Sequence, residues 1–298
     1  MSTTSSSPAS AERFAFGRNW HAFVRKHFSE ERLQAAQKKL LEFTGLTSLD
    51  GHRFLDIGCG SGIHSYAAFR SAADRVHGFD YDHDSVAATT LLQRHAGQPD
   101  HWTVERGDVL NASYIDRLGK WSFVYSWGVL HHTGAMWQAI RHAQRCVDNG
   151  GLFFIALYSA DADFQPSKEF WLDVKQRYNQ SSDWRKQLWV LWYIWRFGMG
   201  KDVRKLPGVI KQIVTYRVKR GMNYFADVRD WLGGWPMEYA PDQAVVDLLE
   251  GECGFTLVNI ATGEACSEFL FRRDGGPSQR TVAKDFAAEC KRRRNQKG

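Results

Sequence analysis

The feature that most constrains the fold is a regular alternation of short apolar runs and helical patterns between residues 50 and 160. The spacing predicts strands at 53–57, 75–79, 102–106, 122–127 and 152–158, and helices at 62–73, 83–95 and 135–147. Strands and helices that alternate in units of this size form a parallel sheet with right-handed crossovers and helices on both faces. The sequence therefore predicts a doubly wound α/β domain.

The first of these strands runs into a glycine-rich turn with the spacing Asp-x-Gly-x-Gly-x-Gly, formed by Asp56, Gly58, Gly60 and Gly62. Glycines permit a tight turn and let the backbone approach a ligand closely. Dinucleotide-binding turns favour the spacing GxGxxG, in which a helix N-terminus meets a pyrophosphate. Because an acid at the strand end would repel a pyrophosphate, the turn favours a ligand that carries positive charge.

Two further carboxylates follow the next strands. Asp80 stands at the end of the second strand, where a carboxylate can accept hydrogen bonds from both hydroxyls of a ribose. Asp108 follows the third strand, where it can accept a hydrogen bond from an exocyclic adenine amine. The three turns together predict a ligand that contains adenosine and no phosphate.

The motifs at these positions resemble those of the class I S-adenosylmethionine-dependent methyltransferases. The matching segments are LDIGCGSG (55–62), GFD (78–80), GDVL (107–110), YSWGVLHH (125–132) and NGGLFFIALY (149–158). The resemblance implies S-adenosylmethionine as the cofactor, S-adenosylhomocysteine as the product, no metal, and a Rossmann-like seven-stranded sheet whose last strand is antiparallel. It also implies a cofactor site made of Asp56, Gly58, Cys59, Gly60, Gly62, Asp80, Tyr81, Asp108, Val109, Ser126 and Trp127.

The pattern divides the chain into a core and an insertion. After the fifth strand the alternation stops, and it resumes with a helix at 241–251 and an antiparallel pair of strands at 255–261 and 267–272. The predicted segments are a disordered N-terminus (1–10), a helical lead-in (11–48), the Rossmann-like core (49–160), a helical cap (161–240), the completion of the sheet (241–275) and a basic tail (276–298).

The cap differs sharply in composition from the rest of the chain. Residues 175–220 contain twelve Lys or Arg against two acids, so this segment has a net charge of +10. Because the whole chain has a net charge of +6, the remaining residues together have a net charge of −4. Seven of the twelve tryptophans lie between Trp171 and Trp235. The apolar run 188–197 must be buried or contact another molecule. Packing in the core of the cap or in a homodimer interface is the first interpretation. An amphiphilic or anionic acceptor, or an anionic membrane surface, is the second, and nucleic acid is the third.

Two histidines, His131 and His132, follow the fourth strand at the place where cofactor and acceptor would meet. An imidazole titrates near neutrality, so either histidine is a candidate general base for a hydroxyl acceptor. The alternative is a structural role in which one of them bonds to a backbone carbonyl. An amine or thiol acceptor needs only positioning and stays open.

The acceptor is predicted to lie under the cap, near the aromatic segment that closes it and near the N-terminal lead-in. The candidate contacts are Trp20, Asp230, Trp231, Trp235, Glu238 and Tyr239. Trp20 can either cover the cofactor or anchor the lead-in to the domain, and the two tryptophans of the closing segment can equally anchor the cap to the core.

The sequence favours a methyltransferase for a small-molecule acceptor. The alternatives are an RNA (tRNA) methyltransferase and a non-catalytic S-adenosylmethionine-binding protein. The N-terminus has no apolar stretch typical of a secretory signal, no apolar run is long enough to span a bilayer, and the five cysteines are scattered. We therefore expect a cytoplasmic protein with free thiols.

Overall fold

The computed structural model describes residue 14 and residues 16–220, 224–263 and 265–274. The predicted disordered segment 1–10 and the basic tail 276–298 lie outside the described residues. No helix within the described ranges is long and apolar enough to cross a membrane.

A single sheet organises the part of the core that the structure describes. Its seven strands stand in the order β3-β2-β1-β4-β5-β7-β6. Strands β1 to β5 are mutually parallel, and β7 pairs antiparallel with both β5 and β6. This arrangement confirms the predicted fold class. The strands are β1 (Arg53–Ile57), β2 (Arg75–Asp80), β3 (Trp102–Arg106), β4 (Trp121–Trp127), β5 (Val147–Tyr158), β6 (Phe255–Thr262) and β7 (Cys266–Arg273).

Both faces of the sheet are buried because successive strand residues point to opposite sides. Phe54 packs in one apolar cluster with residues of the helices α2 to α4, and the next residue, Leu55, packs in the other with residues of α5, α6 and α11. The core helices are α1 (Gly17–His27), α2 (Glu30–Thr44), α3 (Ile63–Arg70), α4 (His83–His95), α5 (Ala112–Leu118), α6 (Met136–Ala143) and α11 (Asp242–Val246).

The insertion after β5 is helical. Its helices are α7 (Lys168–Asn179), α8 (Asp183–Tyr193) with a π-helical turn at Ile194–Gly198, α9 (Leu206–Arg220) and α10 (Tyr224–Gly233). They pack around their own apolar cluster, which includes Trp171, Val190, Val209 and Leu232. We call residues 161–240 the cap.

Four elements differ from the sequence prediction. The helices predicted at 135–147 and 241–251 are shorter, since α6 ends at Ala143 and α11 at Val246, and each is followed by a turn of 3-10 or π helix. Strand β5 begins at Val147 and not at residue 152. Around Gly150, which has a φ of +75°, the chain forms a bulge where a turn was predicted, and it then pairs with β4 again. Helix α5 was not predicted. Its N-cap is Asn111, whose side chain accepts a hydrogen bond from the Tyr114 N–H at 3.1 Å. A single capping residue before a seven-residue helix is too weak a pattern to be recognised in the sequence.

Candidate cofactor and acceptor site

The glycine turn after β1 is closed tightly. Gly58, Gly60 and Gly62 have φ values of +76°, +53° and +79°, a region that side chains rarely adopt. A Cβ atom at Gly58 would lie 2.4 Å from a methyl group of Val129. The N–H groups of Gly58 and Cys59 both donate to the carbonyl oxygen of Phe79, at 2.8 and 3.0 Å, and this fastens the turn to the end of β2.

Asp80 lies directly beside this turn. Its carboxylate accepts hydrogen bonds from the N–H groups of Gly60 at 3.0 Å and Asp82 at 2.9 Å. Burial raises its pKa to about 6, against the effect of these bonds. Because a carboxylate offers about four acceptor positions, these bonds leave capacity for ligand hydroxyl groups. The arrangement fits a ribose.

Asp56 and Ser126 form hydrogen bonds at the carboxyl end of β1. Asp56 is buried and accepts a hydrogen bond from the Ser65 hydroxyl at 2.6 Å, and burial raises its pKa to about 7, helped by the charge of Asp80. The hydroxyl of Ser126 donates to the carbonyl oxygen of Ile57 at 3.0 Å. Both side chains therefore stabilise the strand end that carries the glycine turn.

The adenine side of the predicted site lies along the neighbouring strand ends. The Gly107 N–H donates to the carbonyl oxygen of Asp80 at 3.0 Å, which joins the turns after β2 and β3. The Tyr81 ring is half exposed, with the Arg106 guanidinium 5.6 Å from its centroid. Asp108 accepts a hydrogen bond from Leu110 N–H at 2.9 Å, and the neighbouring Val109 is buried. The structure thus brings Asp80, Tyr81 and Asp108 to one edge of the sheet.

Two other predicted cofactor residues have different surroundings. The buried thiol of Cys59 accepts a hydrogen bond from Thr89 at 3.3 Å, and burial raises the pKa of this thiol well above its usual value. The indole N–H of Trp127 donates to Glu268 at 2.8 Å, and the Lys39 ammonium lies 5.2 Å from its ring. Trp127 therefore faces the α2 and β7 side of the strand ends.

Helix α1 connects the glycine turn to the cap. The indole nitrogen of Trp20 lies 3.4 Å from the position that a Cβ of Gly60 would occupy, so Trp20 covers this glycine. One residue earlier, the Asn19 amide donates to the Asp230 carboxylate at 2.5 Å. The same short helix therefore contacts the predicted cofactor turn and the predicted acceptor region.

The histidines at the end of β4 have fixed tautomers. His131 is buried, and its Nδ1 accepts a hydrogen bond from the Tyr158 N–H at 3.3 Å, so its proton lies on Nε2. His132 Nδ1 lies 2.7 Å from the carbonyl oxygen of Pro236 and must donate to it, which leaves Nε2 as an acceptor. Burial lowers the pKa of His132 to about 4 and that of His131 well below its usual value, so both are neutral near pH 7.

A buried lysine that the sequence analysis missed lies in the same region. Lys175 of α7 is 1% exposed and donates a hydrogen bond to the carbonyl oxygen of Trp231, with its ammonium 4.2 Å from the Trp231 ring centroid. Burial lowers the pKa of Lys175 to about 7 and raises that of Asp230 to about 7. The sequence pattern that could have indicated its burial is the helical spacing that it shares with Trp171, Val174 and Tyr178, which are also buried.

The closing segment of the cap provides aromatic walls and one structural carboxylate. Trp231 packs against Trp171 at 5.1 Å between ring centroids, and its buried indole N–H finds no hydrogen-bond partner in the part of the chain that the structure describes. Tyr239 packs against Phe164 at 5.2 Å. The Glu238 carboxylate accepts a hydrogen bond from the Met136 N–H at 2.9 Å, at the start of α6. The assignment of Glu238 to the acceptor stays a prediction.

The N-terminal segment also reaches this loop. The N–H of Phe14 donates to the carbonyl oxygen of Trp235 at 2.9 Å, and the Phe16 ring lies 5.2 Å from that of His132. The lead-in therefore both covers the cofactor turn and anchors to the cap. Within the described ranges, no group of three or more His, Cys, Asp or Glu side chains is placed to hold a metal ion.

Comparison with known proteins identifies the family. A family described as a methyltransferase domain matches residues 26–198, which is more than half of the chain. The chain belongs to this family. The membership confirms the resemblance found in the sequence, and S-adenosylmethionine is the cofactor of that class. The glycine turn, Asp80 and Asp108 are the residues that would hold it.

Curated relatives match only part of this chain. The tRNA U34 carboxymethyltransferase of Trichlorobacter lovleyi is 30% identical over 116 residues, which cover 39% of this chain and 35% of that protein. The enzyme of the same name from Geobacter sp. strain M21 is 31% identical over 103 residues, or 35% and 31% of the two chains. The chain thus spans about a third of the length of the curated relatives that it matches.

One solved structure supports the fold. An O-methyltransferase family protein from Burkholderia thailandensis matches with a TM-score of 0.51 at 13% identity, over 86% of this chain and 59% of that chain. At this identity the likeness concerns the fold alone.

Proposed function

We propose that the protein transfers a methyl group from S-adenosylmethionine to a small-molecule acceptor bound beneath the cap. The observation that carries this proposal is the position of α1. Trp20 covers Gly60 of the cofactor turn, while the adjacent Asn19 bonds to Asp230 of the cap. A ligand on the glycine turn and a ligand under the cap would therefore share one wall, as methyl transfer between them requires.

The chain supplies binding, alignment and exclusion of water. Asp80 and the glycine turn hold the nucleoside, and Trp20 covers the turn. When bound, the cofactor supplies a methyl group activated by its sulfonium. The aromatic rings of Trp171, Trp231 and Tyr239 would exclude water from the acceptor.

His132 is the better candidate for proton removal from a hydroxyl acceptor. Its Nδ1 proton is held by the Pro236 carbonyl, so the neutral ring presents Nε2 as a proton acceptor. His131 already uses its lone pair to accept the Tyr158 N–H. For a hydroxyl acceptor, this difference favours His132 for proton removal and a structural role for His131. Amine or thiol acceptors would need only the positioning that the cap supplies.

The buried polar groups of the cap indicate the chemistry of the acceptor. Among the described residues, Lys175 has one carbonyl partner for three possible donor bonds, and the Trp231 indole N–H has none. Both lie among aromatic rings. An acceptor that combines an apolar or planar body with an anionic or carbonyl oxygen would satisfy these donors.

The test is transfer of a radiolabelled methyl group from S-adenosylmethionine to the small-molecule fraction of a cell extract. We expect labelled product that resists ribonuclease, with Asp80→Ala reducing the yield and Asp74→Asn, at the opposite end of β2, leaving it unchanged. Absence of transfer to any fraction, despite cofactor binding, would instead identify a non-catalytic binding protein.

A tRNA acceptor is the second candidate. It is favoured by curated relatives that are named tRNA U34 carboxymethyltransferases, and by the excess of twelve Lys or Arg over two acids in residues 175–220. Its signature would be labelled methyl groups in the tRNA fraction that ribonuclease releases, formed with a steep dependence on salt.

A further inference from the structure

The outer surface of the cap carries most of the exposed apolar side chains that the structure describes. Within the described residues, twelve large hydrophobic side chains are exposed, and eight of them lie between residues 184 and 214. We call these eight residues the outer apolar surface: Trp184, Leu188, Leu191, Trp195, Val203, Leu206, Ile210 and Val214. Exposed apolar patches of this kind mark interaction sites.

Half of this surface forms a stripe on α8 and its continuation. Residues 184, 188, 191 and 195 are spaced by four, three and four positions, so they share one face of the helix. Leu191 is 60% exposed and Trp184 is 63% exposed. The opposite face, with Val190 and Ile194, enters the apolar cluster of the cap. Helix α8 is therefore apolar on two sides, of which the described residues cover only one.

The second half lies around α9. Leu206, Ile210 and Val214 recur at intervals of four residues, and Val214 is 70% exposed. On another face, the buried Val209 packs with the cap cluster. The end of α8 and the start of α9 meet at Gly198, where an added Cβ would lie 3.6 Å from Ile194 and 3.7 Å from Val209. The two stripes therefore belong to neighbouring helices.

Basic residues are interspersed in the sequence with the residues of the outer apolar surface, and the Arg185 guanidinium lies 5.2 Å from the Trp184 ring centroid. Residues 183–214 contain seven Lys or Arg against two acids. One of the acids, Asp202, is engaged in accepting a hydrogen bond from the Arg204 N–H at 3.0 Å. The exposed cations in this range include Arg185, Lys201, Arg204, Lys205 and Lys211. Exposed apolar side chains bordered by cations are typical of helices that lie in the interface of an anionic bilayer.

We propose that the outer apolar surface docks the protein on anionic lipid bilayers, with α8 and α9 lying in the headgroup region. Charge argues against a second copy of the chain as the occupant, because a symmetric interface would place this positive surface against itself. Composition argues against RNA, because six of the eight side chains are aliphatic, whereas bases stack on aromatic rings. The proposal stands independently of the acceptor.

The experiment is sedimentation of the full chain with vesicles of phosphatidylcholine alone or mixed with phosphatidylglycerol. The test variant replaces Leu188 and Leu191 with Glu. The matched control is Val258→Glu, on β6 outside the cap, which also places a carboxylate at an exposed apolar position. A second test variant, Arg204→Glu with Lys205→Glu, removes cations and no apolar contact.

We expect the wild type and Val258→Glu to sediment with anionic vesicles only, and less so at high salt. Each leucine replacement should weaken partitioning about tenfold, as loss of a buried leucine predicts, and the charge variant should also bind more weakly. Unchanged melting temperatures would show that the variants fold. Absence of wild-type binding, equal binding by the leucine variant, or a concentration-dependent dimer that the leucine variant abolishes without any vesicle binding would overturn the proposal.

Discussion

Asp80 is the side chain on which the proposed cofactor site depends most. Replacing it with Ala removes an acceptor that already orients the N–H groups of Gly60 and Asp82. We expect the affinity for S-adenosylhomocysteine to fall by about 1.5–3 kcal/mol, as for a lost hydrogen bond to a charged group. Isothermal titration measures this, with Asp74→Asn as the control. A wild-type Kd in the Asp80 variant would remove Asp80 from the site.

The two histidines differ in the atom that each leaves available, so their variants should differ too. We expect His132→Asn to lower kcat by about 10²–10⁴-fold, which is typical of a lost general base. The affinity for S-adenosylhomocysteine should change little. His131→Asn should act mainly on stability, because His131 bonds to the backbone of β5. Equal turnover in the two variants would mean that neither is the base and that positioning dominates.

Lys175 should leave a signature in the pH dependence of stability. Its pKa is lowered to about 7 in the folded protein, against 10.5 in an unfolded chain. Between these values the unfolded chain binds the proton and the folded protein does not, so this residue makes the free energy of unfolding rise with pH. Lys175→Met, compared with the wild type in urea titrations at pH 7 and pH 9.5, should lose that rise. Parallel pH profiles would show that Lys175 is not desolvated.

At the scale of elements, substitutions in α1 and in the closing segment of the cap should affect different steps: the first should affect binding of the cofactor, and the second binding of the acceptor. Trp231→Ala or Tyr239→Phe should raise KM for the acceptor while leaving the affinity for S-adenosylhomocysteine within about threefold, because separate sites couple weakly. Trp20→Ala should lower the affinity for S-adenosylhomocysteine, since Trp20 lies over Gly60. Steady-state kinetics and titration of the three variants check this. Loss of cofactor affinity in all of them would mean that cap and core form one undivided site.

The elements that could be predicted from sequence are those with a repeating pattern. The period of the strands indicated the parallel sheet, and the acids after β2 and β3 could be placed at one edge because parallel strands end together. The contact between Asn19 and Asp230 spans 211 positions and involves two isolated polar residues, so no local pattern reveals it. Lys175 was overlooked because a lysine in a basic segment is normally exposed, and only packing against Trp231 shows otherwise.

At the scale of the whole molecule, the charge asymmetry coincides with the division into core and cap. The segment with +10 belongs to the cap. The −4 of the remainder is spread over regions that include the core, with the buried Asp56 and the partly buried Asp80. Helix α1 is the element that joins the two parts at the proposed site. We therefore propose that the core binds the nucleoside, that the cap binds the acceptor, and that α1 aligns the two.

The most direct test of that assignment is a crystal structure of the full chain with S-adenosylhomocysteine. We expect both ribose hydroxyls within hydrogen-bond distance of Asp80, the adenine amine at Asp108, and the sulfur atom on the side of the glycine turn that Trp20 covers, facing the cap. A nucleoside bound away from the glycine turn, or a sulfur atom that faces away from the cap, would contradict the central claim.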